Sequence, residues 1–541
     1  MLYHPVQRSY LTLVVGQGEN QGMMANLFTL IALLGCLTPV FSEASPRPYS
    51  LGVVLVVDQF RADYLMRFEE KFLPAKANGY KAIMQKGAYF PLADHGLFQD
   101  MTGPGHAAIL SGAYPYRHHI SINWFFDRET KKDTYCVQDD RVKIIGSDGV
   151  VSSAKYGASP RNFNATTVGD ELKNIDRPSR VVSVAIKDRA AILLGGKRAD
   201  DVFWFDEKTC QWVTSDFYKS SLPEFVKKQN AMIKPLIKEK FSWGPYQNIH
   251  YCTKDSIRTP WAIGETFKLA LATVDEMKLG KGKDTDLLLI SLSSHDYLGH
   301  QIGPNDQHME SMTLEEDKLI ADFLNKLAKK LPKGLDDVFV VLTGDHGTPP
   351  HPKHLPIERL PSENIPEDLV PKIIEDALNT DFGKPKEGKW LLAFTEFQAY
   401  FNPMALEGAK VTMSQVVEAA RKRLIKEHYI DEVWSRDEIM RERKVPAGEY
   451  GVVLDRTLSF RSGDMLIQLK PFFYSDSYPL THMTMYSYDR YVPLAFWGKT
   501  FKPGTYRQIV NIVDIAPTLS SVLGVLPPAQ SEGRVLNEIL R

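Results

Sequence analysis

The sequence predicts an α/β fold, a doubly wound and mostly parallel sheet with helices on both faces. Three observations carry that prediction: short, apolar, β-branched runs recur along the chain, helical patterns stand between them, and the residues just beyond the runs are rich in Asp and His. A run that is apolar at every position is what a strand covered on both faces requires. Strands that alternate with helices feed a parallel sheet, and such a sheet binds ligands outside the carboxyl ends of its strands.

Taken in order, the first run is 51–57 (LGVVLVV), which ends at Asp58. Residues 180–186 (RVVSVAI), 286–292 (DLLLISL), 338–342 (VFVVL) and 493–497 (PLAFW) read as further strands, and 260–277, 314–330 and 413–426 as helices. Two regions read as inserts that do not join the sheet. Residues 201–259 are aromatic-rich and irregular, and 383–471 mix polar loops, a basic helix and strand-like pieces. Both are expected to be cap segments over a site, within one catalytic domain spanning 46–541.

The N-terminal 45 residues read as an upstream extension followed by a signal peptide. Residues 25–34 (ANLFTLIALL) are too short to span a bilayer and suit a signal-peptide h-region, with a start at Met23 or Met24, although a start at Met23 leaves no Lys or Arg in the n-region. Export to the periplasm is expected, with no transmembrane segment in the mature chain. Leu33-Leu34-Gly35-Cys36 also resembles a bacterial lipobox, which would make Cys36 a lipid anchor. Without the leader, Cys136, Cys210 and Cys252 remain, enough for at most one disulfide, and the absence of a CxxC pair argues against a thiolate metal site. Lys+Arg 65 against Asp+Glu 66 gives a net charge of -1, so no global positive field exists to hold a nucleic-acid duplex.

The chemistry gathers at the strand ends. Asp58 closes the first run, Asp296 and His300 follow the third in SSHDYLGH, Asp345 and His346 follow the fourth in TGDHG, and His482 precedes the last. Carboxylates and imidazoles without thiolates suit catalytic zinc, and six such ligands are enough for two ions that clamp the attacking and leaving oxygens of a phosphoryl transfer. Gly344 and Gly347 flank Asp345-His346, and are expected to let the backbone pass close to an ion. Thr102, in MTGPGH ahead of an apolar helical stretch, places a hydroxyl at a helix N-terminus, where a phosphate is favoured; it is either a nucleophile or a plain helix cap. His106, one turn further on, is expected to make a structural hydrogen bond.

These residues, with Thr481 and the closing VDIAPTL at 513–519, resemble the alkaline phosphatase superfamily in its type I phosphodiesterase/nucleotide pyrophosphatase-like branch, and are most similar to the PafA-type alkaline phosphatases. The likeness to that type rests on Asn123-Trp124 and on Lys187-Asp188-Arg189. It implies a hydrolase of small phosphate monoesters with a phosphothreonine intermediate at Thr102 and two Zn²⁺. Asp296, His300 and His482 would hold one ion; Asp58, Thr102, Asp345 and His346 would hold the other. Asn123, Lys187 and Arg189 would bind the phosphoryl oxygens, the last two converging on one side of a strand by its two-residue period. Met101 and Gly103 depart from the residues that often flank this Thr, and 193–198 (LLGGKR) add positive charge; both bear on the leaving group. A phosphodiesterase or nucleotide pyrophosphatase on the same scaffold is the alternative. A non-catalytic binding relative fits less well because no ligand position is degraded, and a sulfatase less well because the nucleophile position is Thr.

Overall fold

The computed structural model describes residues 49–175, 178–355, 360–475 and 478–541. The leader expected over 1–45, Cys36 included, lies outside the described residues. In chain order the elements that matter for the site are β1 (Leu51–Val57), β2 (Ala88–Asp94), α1 (Thr102–Ser111), β3 (Trp124–Asp127), β4 (Lys132–Tyr135), β5 (Val181–Ala185), α2 (Asp188–Gly195), β6 (Asp201–Asp206) and β7 (Gln211–Ser215). There follow α3 (Pro260–Glu276), β8 (Asp286–Leu292), α4 (Ser294–Ile302), α5 (Gln307–Lys330), β9 (Val338–Gly344), α6 (Leu369–Phe382), β10 (Leu391–Thr395), β11 (Gln398–Phe401), α7 (Met413–Leu424), β12 (Ile430–Ser435), β13 (Met465–Leu469) and β14 (Tyr491–Trp497).

The main sheet runs β2-β14-β9-β1-β8-β5-β6-β7, with short strands at both edges. β9, β1, β8, β5 and β6 are parallel neighbours, while β14 lies antiparallel to β9 and β2. Each residue of β1, β8 and β9 is buried, as the all-apolar runs predict. Register then decides what meets beyond the strands. Val57 pairs with Leu292 on one side and Gly344 on the other, so Asp58, the start of α4 and Asp345 emerge side by side. β5 stops level with Ser291, which brings Lys187 to the same end, and the antiparallel β14 makes the chain before it, with His482, arrive there too.

The expectation for 201–259 is corrected. β6 pairs in parallel with β5, and β7 returns antiparallel to β6, so 201–215 extend the sheet. The aromatic side chains of Phe203, Trp204, Phe205 and Trp212 are buried there, and large rings fill an outer sheet position as β-branched side chains fill a central one. Only the later part forms separate pieces, a helix at Glu224–Ile233 and a hairpin of Lys240–Trp243 with Tyr246–His250. Cys210 is disulfide-bonded to Cys252, and Cys136 is a buried free thiol. Over 383–471 the chain builds a second sheet, β10-β11-β13-β12, with its own apolar core. That core also takes in Val370, Ile374 and Leu378 of α6, so the unit starts before residue 383. Among the described residues no helix is long and apolar enough to cross a membrane.

At the centre of the sheet Gly52 faces Phe339 of β9 and Leu287 of β8: a Cβ there would lie 2.1 Å from Phe339 Cζ and 2.8 Å from Leu287 Cδ2. Gly52→Val should therefore lower stability by about 1–3 kcal/mol through overpacking. Denaturant unfolding checks it, and a variant as stable as the parent would mean that the Phe339 ring has room to turn away.

Candidate active site

The carboxyl ends of the strands gather three buried carboxylates, Asp58, Asp296 and Asp345, around a single buried ammonium, that of Lys187. Lys187 Nζ lies 2.8 Å from Asp58 Oδ2 and 2.5 Å from Asp296 Oδ2. Negative charge remains in excess. Both oxygens of Asp58, Asp345 Oδ2 and His346 Nε2 are buried without a hydrogen bond, the Lys187 contact to Asp58 being an ion pair only. A buried carboxylate left this way is costly, so such orphans point to something that is meant to sit among them.

The imidazoles indicate what that is. His300 Nδ1 meets Leu480 O at 2.7 Å, His346 Nδ1 meets Gly347 O at 2.9 Å and His482 Nδ1 meets Asp100 O at 2.6 Å. A carbonyl can only accept, so each Nδ1 carries a proton and each Nε2 is the nitrogen turned inward, the orientation found around metal-ligating histidines. Those Nε2 atoms face the carboxylates: His300 at 3.2 Å and His482 at 3.6 Å from Asp296 Oδ1, and His346 at 3.4 Å from Asp58 Oδ1. Asp58, Asp345 and His346 form one group with ion-holding spacing, and Asp296, His346 and His482 another. The sequence assigns His300 to the second group; it stands beside Asp296, with His346 nearer the group's centre. The donor set, oxygen and imidazole only, fits two divalent cations.

The protonation pattern follows from the same crowding. Burial disfavours charge on Asp296, but His300 and Lys187 outweigh it and hold the carboxyl well below its usual range. Burial and the neighbouring His346 push His482 down to about 3, which leaves it neutral. Burial would also lower His346, yet Asp345 and Asp58 override it and raise the ring to about 10, a measure of how strongly this pocket attracts positive charge.

Thr102 is the first residue of α1 and is buried, and its hydroxyl is bonded by side chains. Lys187 Nζ stands 3.1 Å and Arg189 Nη2 3.2 Å from Thr102 Oγ1. The convergence is as expected, but its cause is different. Lys187 is the residue before α2, and Arg189 sits in the first turn of that helix, so the chain turn after β5 and not strand alternation aims the two side chains. Asn123 Oδ1 accepts from Gly103 N at 2.9 Å, which commits the amide oxygen and leaves the Asn123 NH₂ to face the pocket. Thr102, Asn123, Arg189, His300 and His482 line a cavity of about 440 Å³ whose outer wall includes Trp124 and Phe397.

Two readings change in detail. Gly344 and Gly347 make room for protein: Cβ atoms there would lie 2.9 Å from Phe60 Cβ and 2.2 Å from Tyr488 O. His106 is structural, as expected: its Nδ1 donates to Thr102 O at 2.8 Å and its Nε2 meets Ser291 Oγ at 2.8 Å, with Asp345 Oδ2 3.1 Å from Nδ1. Sequence reasoning missed Gln59. Its backbone N–H donates to Asp345 Oδ1 at 3.0 Å and its Nε2 to Asp296 Oδ1 at 2.7 Å, so one residue orients a carboxylate from each group. Adjacency to Asp58 was the available signal. It also missed Tyr135, whose hydroxyl donates to Asp188 Oδ1 at 2.7 Å and accepts from Arg189 Nη1 at 2.9 Å; nothing local marks it.

Comparison with known proteins agrees with this geometry. Residues 52–485 match the family described as type I phosphodiesterase / nucleotide pyrophosphatase. The alkaline phosphatase PafA of Elizabethkingia meningoseptica is 31% identical over 551 residues, covering 95% of this chain and 98% of that protein. The alkaline phosphatase PhoV of Synechococcus elongatus is 31% identical over 539 residues, covering 93% and 94%. The crystal structure of wild-type PafA superposes with a TM-score of 0.85 at 30% identity, over 92% of this chain and 100% of that one. The chain belongs to the type I phosphodiesterase / nucleotide pyrophosphatase family, in the part of it that resembles the PafA alkaline phosphatases.

Proposed function

We propose that this protein is an exported phosphate monoesterase that forms a phosphothreonine at Thr102 and uses two zinc ions. That it is a hydrolase of phosphate esters rests on its family and its alkaline phosphatase relatives. The preference for monoesters rests on one observation, the meeting of Lys187 Nζ and Arg189 Nη2 at Thr102 Oγ1.

Asp296, His300 and His482 would hold one ion; Asp58, Asp345, His346 and the Thr102 oxygen would hold the other. When bound, the ions supply Lewis-acid stabilisation of negative oxygen at the nucleophile, the leaving group and the attacking water. The residues do the rest. Thr102 Oγ1 attacks phosphorus as its alkoxide while the P–O bond to the leaving group breaks, and water then cleaves the Thr102 phosphoester to release inorganic phosphate. The N-terminus of α1 and the ammonium of Lys187 stabilise the charge at Oγ1. Asn123 NH₂ donates to a phosphoryl oxygen present in monoesters and diesters alike, whereas Lys187 and Arg189 answer the additional charge that only a monoester carries. Export rests on the apolar stretch at 25–34, with the periplasm as the compartment.

Metal analysis of the purified mature chain should find close to two zinc ions, with activity lost to a chelator and restored by zinc. Zinc is favoured over magnesium because half of the Asp and His donors are imidazoles. A fully active preparation with substoichiometric metal would be incompatible with the proposal.

Thr102→Ala should lose turnover by orders of magnitude and keep its fold, while Thr102→Ser retains a measurable part, because the hydroxyl is what Thr and Ser share. Near-parental activity in the Ala variant would return Thr102 to a purely structural place at the head of α1.

The double variant Lys187→Ala, Arg189→Ala tests substrate class, assayed on a monoester and a diester with the same leaving group. Two charge-assisted hydrogen bonds of about 1.5–3 kcal/mol each would shift the ratio of monoester to diester kcat/KM by about 10² to 10⁴. Equal loss on both substrates would mean that the pair supports the fold or the ion sites and does not read charge.

A further inference from the structure

The second sheet reaches the site through the tip of its β10–β11 hairpin. Thr395 pairs with Gln398, so Glu396 and Phe397 form a two-residue turn, and both adopt left-handed backbone, with φ of 50° and 59°. Asn-Gly is the unstrained choice for such a turn. Two residues with full side chains in its place call for a use of those side chains. Phe397 lines the cavity wall. Glu396 lines it too, and a carboxyl group beside a pocket for an anionic phosphoryl group repels the substrate unless it has another task.

Its hydrogen bonds give that task. One carboxyl oxygen of Glu396 accepts from the backbone N–H of Asn123 at 3.1 Å and from that of Trp124 at 3.5 Å. These are the residue that donates to the phosphoryl group and the first residue of β3. The backbone carbonyl of Glu396 accepts from the Gln99 side chain, three residues before the nucleophile. Gln99 Oε1 in turn accepts from Gln398 Nε2 at 2.6 Å, and Gln398 Oε1 accepts from Gly463 N at 2.7 Å. The turn is thus joined to the approach of Thr102 and to the backbone that carries Asn123. Asn123 O accepts from Cys136 N at 2.9 Å, which ties the same backbone to the segment bearing Tyr135.

We propose that Glu396 is a positioning residue that acts through Asn123, its carboxyl fixing the backbone at 123–124 so that the Asn123 amide bonds Gly103 N with its oxygen and the phosphoryl group with its NH₂. This rests on the reading of Asn123 as a phosphoryl-binding group. Loss of hydration at the cavity wall raises the Glu396 carboxyl to about 8, so a neutral amide of the same shape is a fair substitute for it.

The test is a double-mutant cycle. kcat and KM for an aryl phosphate monoester, and the inhibition constant of inorganic phosphate, are measured for the parent, Glu396→Ala, Glu396→Gln, Glu396→Asp, Asn123→Ala and the Glu396→Ala, Asn123→Ala pair. Glu396→Ala should lower kcat/KM by about 10- to 100-fold, the effect of a misplaced binding group, and weaken phosphate inhibition. Glu396→Gln should restore most of both. In the Asn123→Ala background, removal of Glu396 should cost less than about twofold, because coupled residues do not add. Glu396→Asp keeps the carboxyl group and withdraws it by one methylene, so it should show part of the loss even if the Ala variant fails to fold. Multiplicative effects in the pair, or a Gln variant as impaired as Ala, would overturn the proposal. An Asn123→Ala variant with unchanged kinetics and phosphate inhibition would overturn it by a separate route, through the role given to Asn123.

Discussion

Like charge forced together by strand register is the constraint on which the rest of this structure depends. β1 lies in register between β8 and β9, and the chain beyond those three strands carries Asp58, Asp296 and Asp345. Buried carboxylates at such proximity repel one another and are far from water. One buried lysine offsets only part of that charge. The remainder of the local architecture can be understood as orientation around the imbalance. Gln59 steers two of the carboxylates, and backbone carbonyls turn three imidazoles so that their Nε2 atoms face inward. A site arranged in this way attracts cations before any substrate arrives.

The strand ends were legible because burial on both faces demands uninterrupted apolar runs, and a run that stops at Asp58 or at Gly344-Asp345 advertises its end. Lys187 and Arg189 were legible as a pair only through resemblance, and the strand-alternation argument for them fails because α2 begins at Asp188. The β6–β7 edge was misjudged, since its aromatic residues lack the β-branched signature of the central strands. Tyr135 and Glu396 were out of reach for a more basic reason. Each acts on a group distant in sequence, Tyr135 on Arg189 and Glu396 on Asn123, and local periodicity carries no record of tertiary pairings.

The two sheets divide the work between them. The main sheet supplies Thr102, the ion-holding groups and the two cationic side chains, all from strand ends or helix starts, where rigid backbone sets position. The second sheet supplies no ligand to either ion-holding group. It contributes the outer wall of the cavity and the Glu396 contact to the backbone at 123–124. The outer wall of the cavity can therefore be altered from one part of the chain while the ion-holding groups stay as they are.

The approach of α1 to β9 sets a last limit. A Cβ on Gly105 would lie 2.1 Å from the carbonyl oxygen of Asp345, so this helix bears directly on backbone. Side chains in contact can exchange rotamers and absorb a small change, but two main chains in contact have no such freedom. The separation between Thr102 and the neighbouring carboxylate is consequently a property of covalent dimensions, with little contribution from adjustable packing. Directed evolution of this protein would find the cavity wall forgiving and this seam not: any residue larger than glycine at 105 has to move Thr102 and Asp345 apart as whole segments.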